Sequence, residues 1–315
     1  MNPSEIKNVL VVGAGTMGHS IAQVFAQHGM EVDLVDINQK VLDHALNLIK
    51  SNLEILAEFG RVSNDEISEI IERIHPSTNL ITAAQNADYV IEAVNENPDI
   101  KKKVFSLLDK NCSEDIVLAS NTSGLDIFSI VEVKKPERLV IHHWFCPPHI
   151  IPLVEIVPGP KTPPELISFS VKFMESLGKK PIVLKKFTQL FIINRIQGVL
   201  NLQVYEMIAK GWITPEEIDL AVKTSLGIRL PIVGLVQTQD FTGLDLILDV
   251  QKNMRMNRRY PQVENLVKQG RLGIKTNKGF YDYEGRSEEE VLKKRDRQYL
   301  KMLDFLEKIN AFEPV

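Results

Sequence analysis

Cysteine is almost missing from this chain: Cys112 and Cys146 are the only two in 315 residues. Two thiols make no disulfide framework and no metal-ligand cluster, so a reducing cytoplasm is expected and a metal site is not. No apolar run approaches the roughly 18 residues a membrane span needs. Met1 to Lys7 is short and polar, and the apolar segment behind it covers only Val9 to Val12, which is not the pattern of a signal peptide. An excess of one charge is lacking too, since 37 Lys and Arg face 41 Asp and Glu for a net −4. That balance offers no field for nucleic acid or an anionic membrane. Internal repeats and low-complexity tracts are absent. What remains is an ordinary globular composition, 44% hydrophobic and 25% charged, at a length that suits two domains.

Along the first half, short apolar runs alternate with helical patterns. Asn8–Val12 reads as a strand buried on both faces, followed by a helix over Met17–His28 with Gly29 as its stop. Val32–Val35 reads as the second strand, then a helix over Val41–Phe59, and Ser63-Asn-Asp-Glu66 opens a further helix to about Ile74. Tyr89–Val94, Ile116–Ala119, Leu139–His142, Leu153–Val157 and Ile182–Leu184 are strand candidates, with helices over Lys101–Asp109 and Pro163–Leu177. Such alternation predicts an α/β domain with a mostly parallel sheet covered on both faces.

Beyond Lys186 the helical period dominates. Helices are expected over Phe187–Lys210, from Thr214-Pro215, over Leu244–Met256 and over Glu288–Ile309, with one short strand at Phe280–Tyr283. The division is expected at residues 1–187 and 188–315, the second part all-α. Its apolar stripes fit either packing against the first domain or a homodimer joined through residues after about 190; the dimer is the expectation.

Gly13-Ala-Gly15-Thr16-Met17-Gly18 matches G-x-G-x-x-G between a buried strand and a helix, the context that gives the pattern meaning. The first glycine permits the turn, the second lets a pyrophosphate approach the backbone, and the third lets helix and strand pack. The helix N-terminus adds free N–H groups and partial positive charge. Asp36, 18 residues after Gly18, ends the second strand where a carboxylate binds ribose hydroxyls and repels a 2′-phosphate. A Rossmann-type domain holding NAD is therefore predicted; a flavin dinucleotide would use the same turn.

Polar residues follow the later strands: Ser120-Asn121-Thr122-Ser123, His142-His143-Trp-Phe-Cys-Pro-Pro148, Pro152-Leu-Val-Glu155 and Asn194-Arg195. Together with Gly273-Ile-Lys275-Thr-Asn-Lys-Gly-Phe-Tyr-Asp-Tyr283 they make the sequence resemble the L-3-hydroxyacyl-CoA dehydrogenase superfamily from Val9 through Tyr283. The resemblance implies an NAD-dependent dehydrogenase of a secondary alcohol. It puts the catalytic base on His143, its carboxylate partner on Glu155, and contacts to the reacting oxygen on Ser123 and Asn194. It also places Glu96 and Lys101 near the cofactor, with Lys275 as a further cofactor candidate and Asn121 in the cofactor-side turn. That chemistry needs a base of near-neutral pKa, which histidine supplies, and a buried carboxylate to set its tautomer. Of the adjacent histidines, one can simply face the helix layer; His143 is the expected base. Ser123 can also be read as a helix cap, and Cys146 as a small buried hydrophobe.

The sequence departs from the acyl-CoA enzymes in three places. Cys146 stands where they usually have asparagine, the turn Leu56–Arg61 has Arg61 as its single base, and Leu226-Gly-Ile-Arg229 lacks a common Gly-Pro pair. The last segment, Ile151–Pro158 and the His142–Pro148 segment are similar to the lambda-crystallin, gulonate and carnitine dehydrogenase branch, whose members act on free 3-hydroxy acids. There Arg229 or Arg195 would pair with a substrate carboxylate. The expected substrate is thus a 3-hydroxyacyl-CoA, with a free 3-hydroxy acid as the alternative. A non-catalytic NAD-binding structural protein is the reading from another class, and the intact Ser123, His143, Glu155 and Asn194 speak against it.

Overall fold

The computed structural model describes residues 2–254 and 260–314. They form two compact units, Met1–Val199 and Leu200–Val315. The first unit is organised by one eight-stranded sheet. Its strands are β1 (Asn8–Val12), β2 (Glu31–Val35), β3 (Ile74–Ser77), β4 (Tyr89–Glu92), β5 (Val117–Ser120), β6 (Leu139–Trp144), β7 (Leu153–Pro158) and β8 (Lys180–Val183). The spatial order is β3-β2-β1-β4-β5-β6-β7-β8. All neighbours are parallel except β6 and β7, which are antiparallel. The order reverses between β1 and β4, and such a switch point opens a crevice at the carboxyl ends of the strands.

Helices α1 (Gly18–Gln27), α2 (Gln39–Glu58), α3 (Asn64–Glu72), α4 (Leu80–Asn86), α5 (Pro98–Asn111), the single turn α6 (Ile127–Ile130) and α7 (Pro164–Ser176) cover the sheet. Alternate residues of β1 go to opposite faces. Val9 and Val11 pack with Ile21, Phe25 and Leu42, whereas Leu10 and Val12 pack with Phe105 and Leu108. That double coverage explains why the strand reads as an unbroken apolar run. Each such side chain fully removed from water contributes about 1.5–3 kcal/mol.

Local signals end the elements where expected. Gly29, at φ 80°, follows α1 in the left-handed region, and the Ser63–Glu66 capping box starts α3. The α3 helix nevertheless stops at Glu72, because Ile74 opens β3 instead of closing the helix. This edge strand, Ile-His-Pro-Ser, carries a proline that only an edge tolerates, and so it has no strand signature.

The expected helix Phe187–Lys210 is a second correction. α8 (Ile193–Ala209) begins six residues later, after Leu190 (φ 64°) and Phe191 (φ 51°) turn the chain through left-handed geometry.

α8 runs across the division into the second unit, which continues with α9 (Pro215–Thr224), α10 (Leu226–Thr242), α11 (Leu244–Asn253), α12 (Pro261–Lys268) and α13 (Glu288–Lys308). The expected helix Leu244–Met256 is seen to Asn253; Met256 lies outside the described residues. No strand forms at Phe280–Tyr283. The backbone N–H groups of Phe280 and Tyr281 donate to the Asp240 carboxylate at 2.8 and 2.9 Å, and the Tyr283 hydroxyl joins them at 3.0 Å. A Cβ on Gly279 would lie 2.1 Å from Asp240 Oδ1, so the glycine lets the loop close on the carboxylate. Among the described residues no helix is long and apolar enough to cross a membrane.

Candidate active site

The glycine turn between β1 and α1 has the three roles its spacing demands. Gly13, at φ 103°, lies so close to β4 that a Cβ would meet Ala93 O at 2.7 Å. At Gly18 a Cβ would overlap Gly13 O at 1.7 Å. Gly15 faces open space instead, with nothing within 4 Å of such an atom. Thr16 beside it is exposed, Met17 half-buried, and no side chain caps the N-terminus of α1. Asp36 leaves β2 and accepts the Ala14 N–H at 2.9 Å, which fastens its carboxylate to the turn. An open glycine, an uncapped helix start and a carboxylate beside them fit a dinucleotide with unphosphorylated ribose.

Beyond the switch point, Ser120–Ser123 leaves the end of β5. Asn121 is nearly buried; its Oδ1 accepts the Trp144 N–H at 2.8 Å and its own N–H donates to Glu92 O at 2.7 Å. It thereby ties β4, β5 and β6 together. Glu96 Oε1 accepts the Thr122 hydroxyl at 2.6 Å and the Ser123 N–H at 2.9 Å. Burial pushes the Glu96 carboxyl up, but the Thr122 hydroxyl, the Lys101 ammonium and the Ser123 N–H together hold it below its ordinary value. Lys101 is enclosed, its ammonium 2.7 Å from Glu92 and 3.1 Å from Glu96. Ser123 is exposed and caps no helix; the N-cap of α6 is Asp126.

The two adjacent histidines part because successive strand residues face opposite ways. His142 enters the aromatic layer of Phe25, Tyr89 and Phe173 and pairs with the Tyr89 hydroxyl at 2.7 Å. Burial drives its pKa down to about 3, so it is neutral at any physiological pH. His143 projects to the other face. There the antiparallel register sets it opposite Glu155, and Nδ1 lies 2.8 Å from Glu155 Oε2. The imidazole is also packed between Phe145 and Phe191, with ring centroids 4.6 and 5.1 Å away. An ionised Glu155 accepts the Nδ1 proton and leaves Nε2 as the nitrogen with a free lone pair.

The second oxygen of Glu155 receives the N–H groups of Ile192 and Ile193 at 3.1 and 3.0 Å, the entry to α8. Leu190 and Phe191 produce this arrangement by turning the chain just before it. The next residue, Asn194, is half-buried and its amide donates to Ser123 O at 3.5 Å. Ser123, His143, Glu155 and Asn194 are thus joined through Glu155 and α8. Lys275 belongs to the second unit, where its ammonium is 2.5 Å from Asp245.

Sequence reasoning missed Glu92, although a carboxylate in the apolar run Tyr89-Val-Ile-Glu92 is a signal in itself, and it missed Leu190 and Phe191. Cys146, expected to be buried, is exposed on the segment between β6 and β7. Cys112 is the buried thiol, pushed up to about 11 by burial.

The family described as 3-hydroxyacyl-CoA dehydrogenase, NAD binding domain, matches residues 8–187, and its C-terminal domain matches residues 191–283. The probable 3-hydroxybutyryl-CoA dehydrogenase of Bacillus subtilis is 35% identical over 288 residues, which cover 89% of this chain and 98% of that one. The 5-formyl-3-hydroxy-2-methylpyridine 4-carboxylate 5-dehydrogenase of Mesorhizobium japonicum is 29% identical over 308 residues, covering 96% and 99%. A 3-hydroxyacyl-CoA dehydrogenase structure from Archaeoglobus fulgidus superposes with a TM-score of 0.79 at 29% identity, covering 95% and 99%. With its open glycine turn, its Asp36 and both domains matched in order, the chain belongs to the 3-hydroxyacyl-CoA dehydrogenase family of NAD-dependent oxidoreductases.

Proposed function

We propose that this chain catalyses the reversible oxidation of an L-3-hydroxyacyl-CoA to the 3-oxoacyl-CoA. The observation that carries the reading is the His143–Glu155 pair at 2.8 Å, anchored at the entry of the helix that bears Asn194. Bound NAD supplies the hydride acceptor. His143 Nε2 takes the hydroxyl proton, and Glu155 stabilises the imidazolium that results. Ser123 and Asn194 hold the reacting oxygen while its charge changes. Asp36 and the 13–18 turn bind the adenosine half and the pyrophosphate. Glu96 and Lys101 shape the turn from Asn121 to Ser123.

The boundary at 187/188 is part of the same reading, supported by two family matches that end and begin at residues 187 and 191. We assign residues 188–315 to substrate binding and to a homodimer contact, on the strength of exposed apolar side chains such as Val199, Leu202 and Trp212. The scarcity of cysteine supports a cytoplasmic site of action.

A free 3-hydroxy acid is the second reading. It is favoured by Cys146, exposed where the acyl-CoA enzymes usually have asparagine, and by a relative whose name specifies a pyridine carboxylate. Turnover of 3-hydroxybutyryl-CoA and of free 3-hydroxy acids, measured side by side with NAD, decides between the two. Rapid turnover of free acids with none of the thioester would reverse the order.

A further inference from the structure

Glu92 is a fully buried carboxylate with no part in the proton transfer described above. Its Oε1 receives the Lys101 ammonium at 2.7 Å and the Val94 N–H at 2.8 Å; its Oε2 receives the Ser120 hydroxyl at 2.6 Å. The Ser120 hydroxyl donates that last bond, while its oxygen accepts the Thr122 N–H at 3.1 Å. Thr122 continues the chain. Thr122 Oγ1 accepts the N–H groups of Gly124 and Leu125 at 3.4 and 3.0 Å, so its proton goes to Glu96. Both carboxylates therefore only accept, the pattern of ionised groups. One ammonium lies between two carboxylates, and the cluster Glu92–Lys101–Glu96 holds one net negative charge.

The cluster lies at the carboxyl ends of β4 and β5. Asp36, which would take the adenosine ribose, is across the switch point at the end of β2, so the other half of a dinucleotide extends toward β4 and β5. The nicotinamide ring is cationic in NAD+ and neutral in NADH, while the rest of the molecule is unchanged. A fixed negative charge on that side stabilises the first form and leaves the second nearly untouched.

We infer that the buried Glu92–Lys101–Glu96 cluster sets the redox preference of the bound cofactor, favouring NAD+ over NADH. Glu92 then acts through charge and position, without touching the substrate. The inference rests on the family's use of NAD and is independent of which hydroxyacyl substrate is turned over.

Equilibrium binding to the full-length chain without substrate tests it, by calorimetry for NAD+ and by fluorescence for NADH. In Glu96→Gln the dissociation constant for NAD+ should rise about tenfold, while that for NADH changes less than about twofold. Glu92→Gln should move the ratio in the same direction. Should burial of the new amide unfold that variant, the partly exposed Glu96 decides alone. Glu114→Gln, ahead of the opposite end of β5, changes net charge equally and should leave the ratio alone. Equal weakening of both forms in Glu96→Gln, or an unchanged ratio, would overturn the inference. A wild-type chain that binds neither form would overturn the cofactor reading along with it.

Discussion

One oxygen of Glu155 holds His143 Nδ1 at 2.8 Å, while its other oxygen holds the entry to α8. A single buried carboxylate thus fixes both the tautomer of the imidazole and the position of the helix bearing Asn194. His143→Ala should reduce kcat by about 10²–10⁴-fold, the span of general-base catalysis. NAD affinity, measured by calorimetry, should stay within about twofold of wild type, because the imidazole is not used to hold the dinucleotide. An unaffected rate would remove His143 from the mechanism.

Glu155→Gln should be more disruptive than its size implies. The amide nitrogen would face the Nδ1 proton donor to donor and favour the wrong tautomer, a change worth about 10⁴ in a hydrolase triad. The charge-assisted bonds to Ile192 and Ile193 would also weaken, at a cost of about 1.5–3 kcal/mol. Steady-state kinetics and denaturant unfolding should therefore both respond, whereas His143→Ala is expected to move mainly the first.

The glycines of the turn should separate binding from folding. Gly15→Ala faces open space, so the melting temperature should hold while NAD affinity falls by tenfold or more, as the methyl group fills the pyrophosphate approach. Gly18→Ala would drive its Cβ into Gly13 O and should cost about 1–3 kcal/mol or more, seen as a lower melting temperature without ligand. Equal behaviour of the two variants would contradict the assignment.

Acid should destabilise the fold partly through His142. Burial lowers its folded pKa to about 3, well below the ordinary histidine value of 6.5. The unfolded chain therefore binds the extra proton first as pH falls. Stability linked to this residue is present above about pH 6.5 and declines from there toward pH 3. His142→Leu should flatten the dependence of the unfolding midpoint on pH across that window. A slope identical to that of wild type would show that other groups dominate.

Asp240 should matter to the second unit as a structural residue. Asp240→Ala leaves the Tyr283 hydroxyl without this acceptor, at about 1–3 kcal/mol for a buried group, and removes the acceptor of the part-buried N–H groups of Phe280 and Tyr281 at a smaller cost. Limited proteolysis should then cut near residues 273–283 while the first unit persists. Equal protection of wild type and variant would argue that this loop does not depend on the carboxylate.

Most of the sheet was legible because its signals are local. β1 and β2 show apolar runs ended by Gly13 and Asp36, and Ser63–Glu66 declares a helix start without reference to anything distant. β3 was not legible: an edge strand needs little apolar patterning, and Ile-His-Pro-Ser draws its place from pairing with β2. The chain before α8 read as helix because Phe191 and Ile192 continue the apolar period. Glu155, 37 residues before Ile192, holds the helix entry where it begins.

The sequence alone determined the glycine turn, the acid that follows it and the identities of His143, Glu155, Ser123 and Asn194, since these are properties of residue type and spacing. Tertiary structure decided which histidine meets a carboxylate and which enters the aromatic layer. It also buried Glu92 beside Lys101 and left Cys146 in solvent. Those outcomes depend on strand register and on the desolvation of charge, which arise only when distant segments are brought against one another.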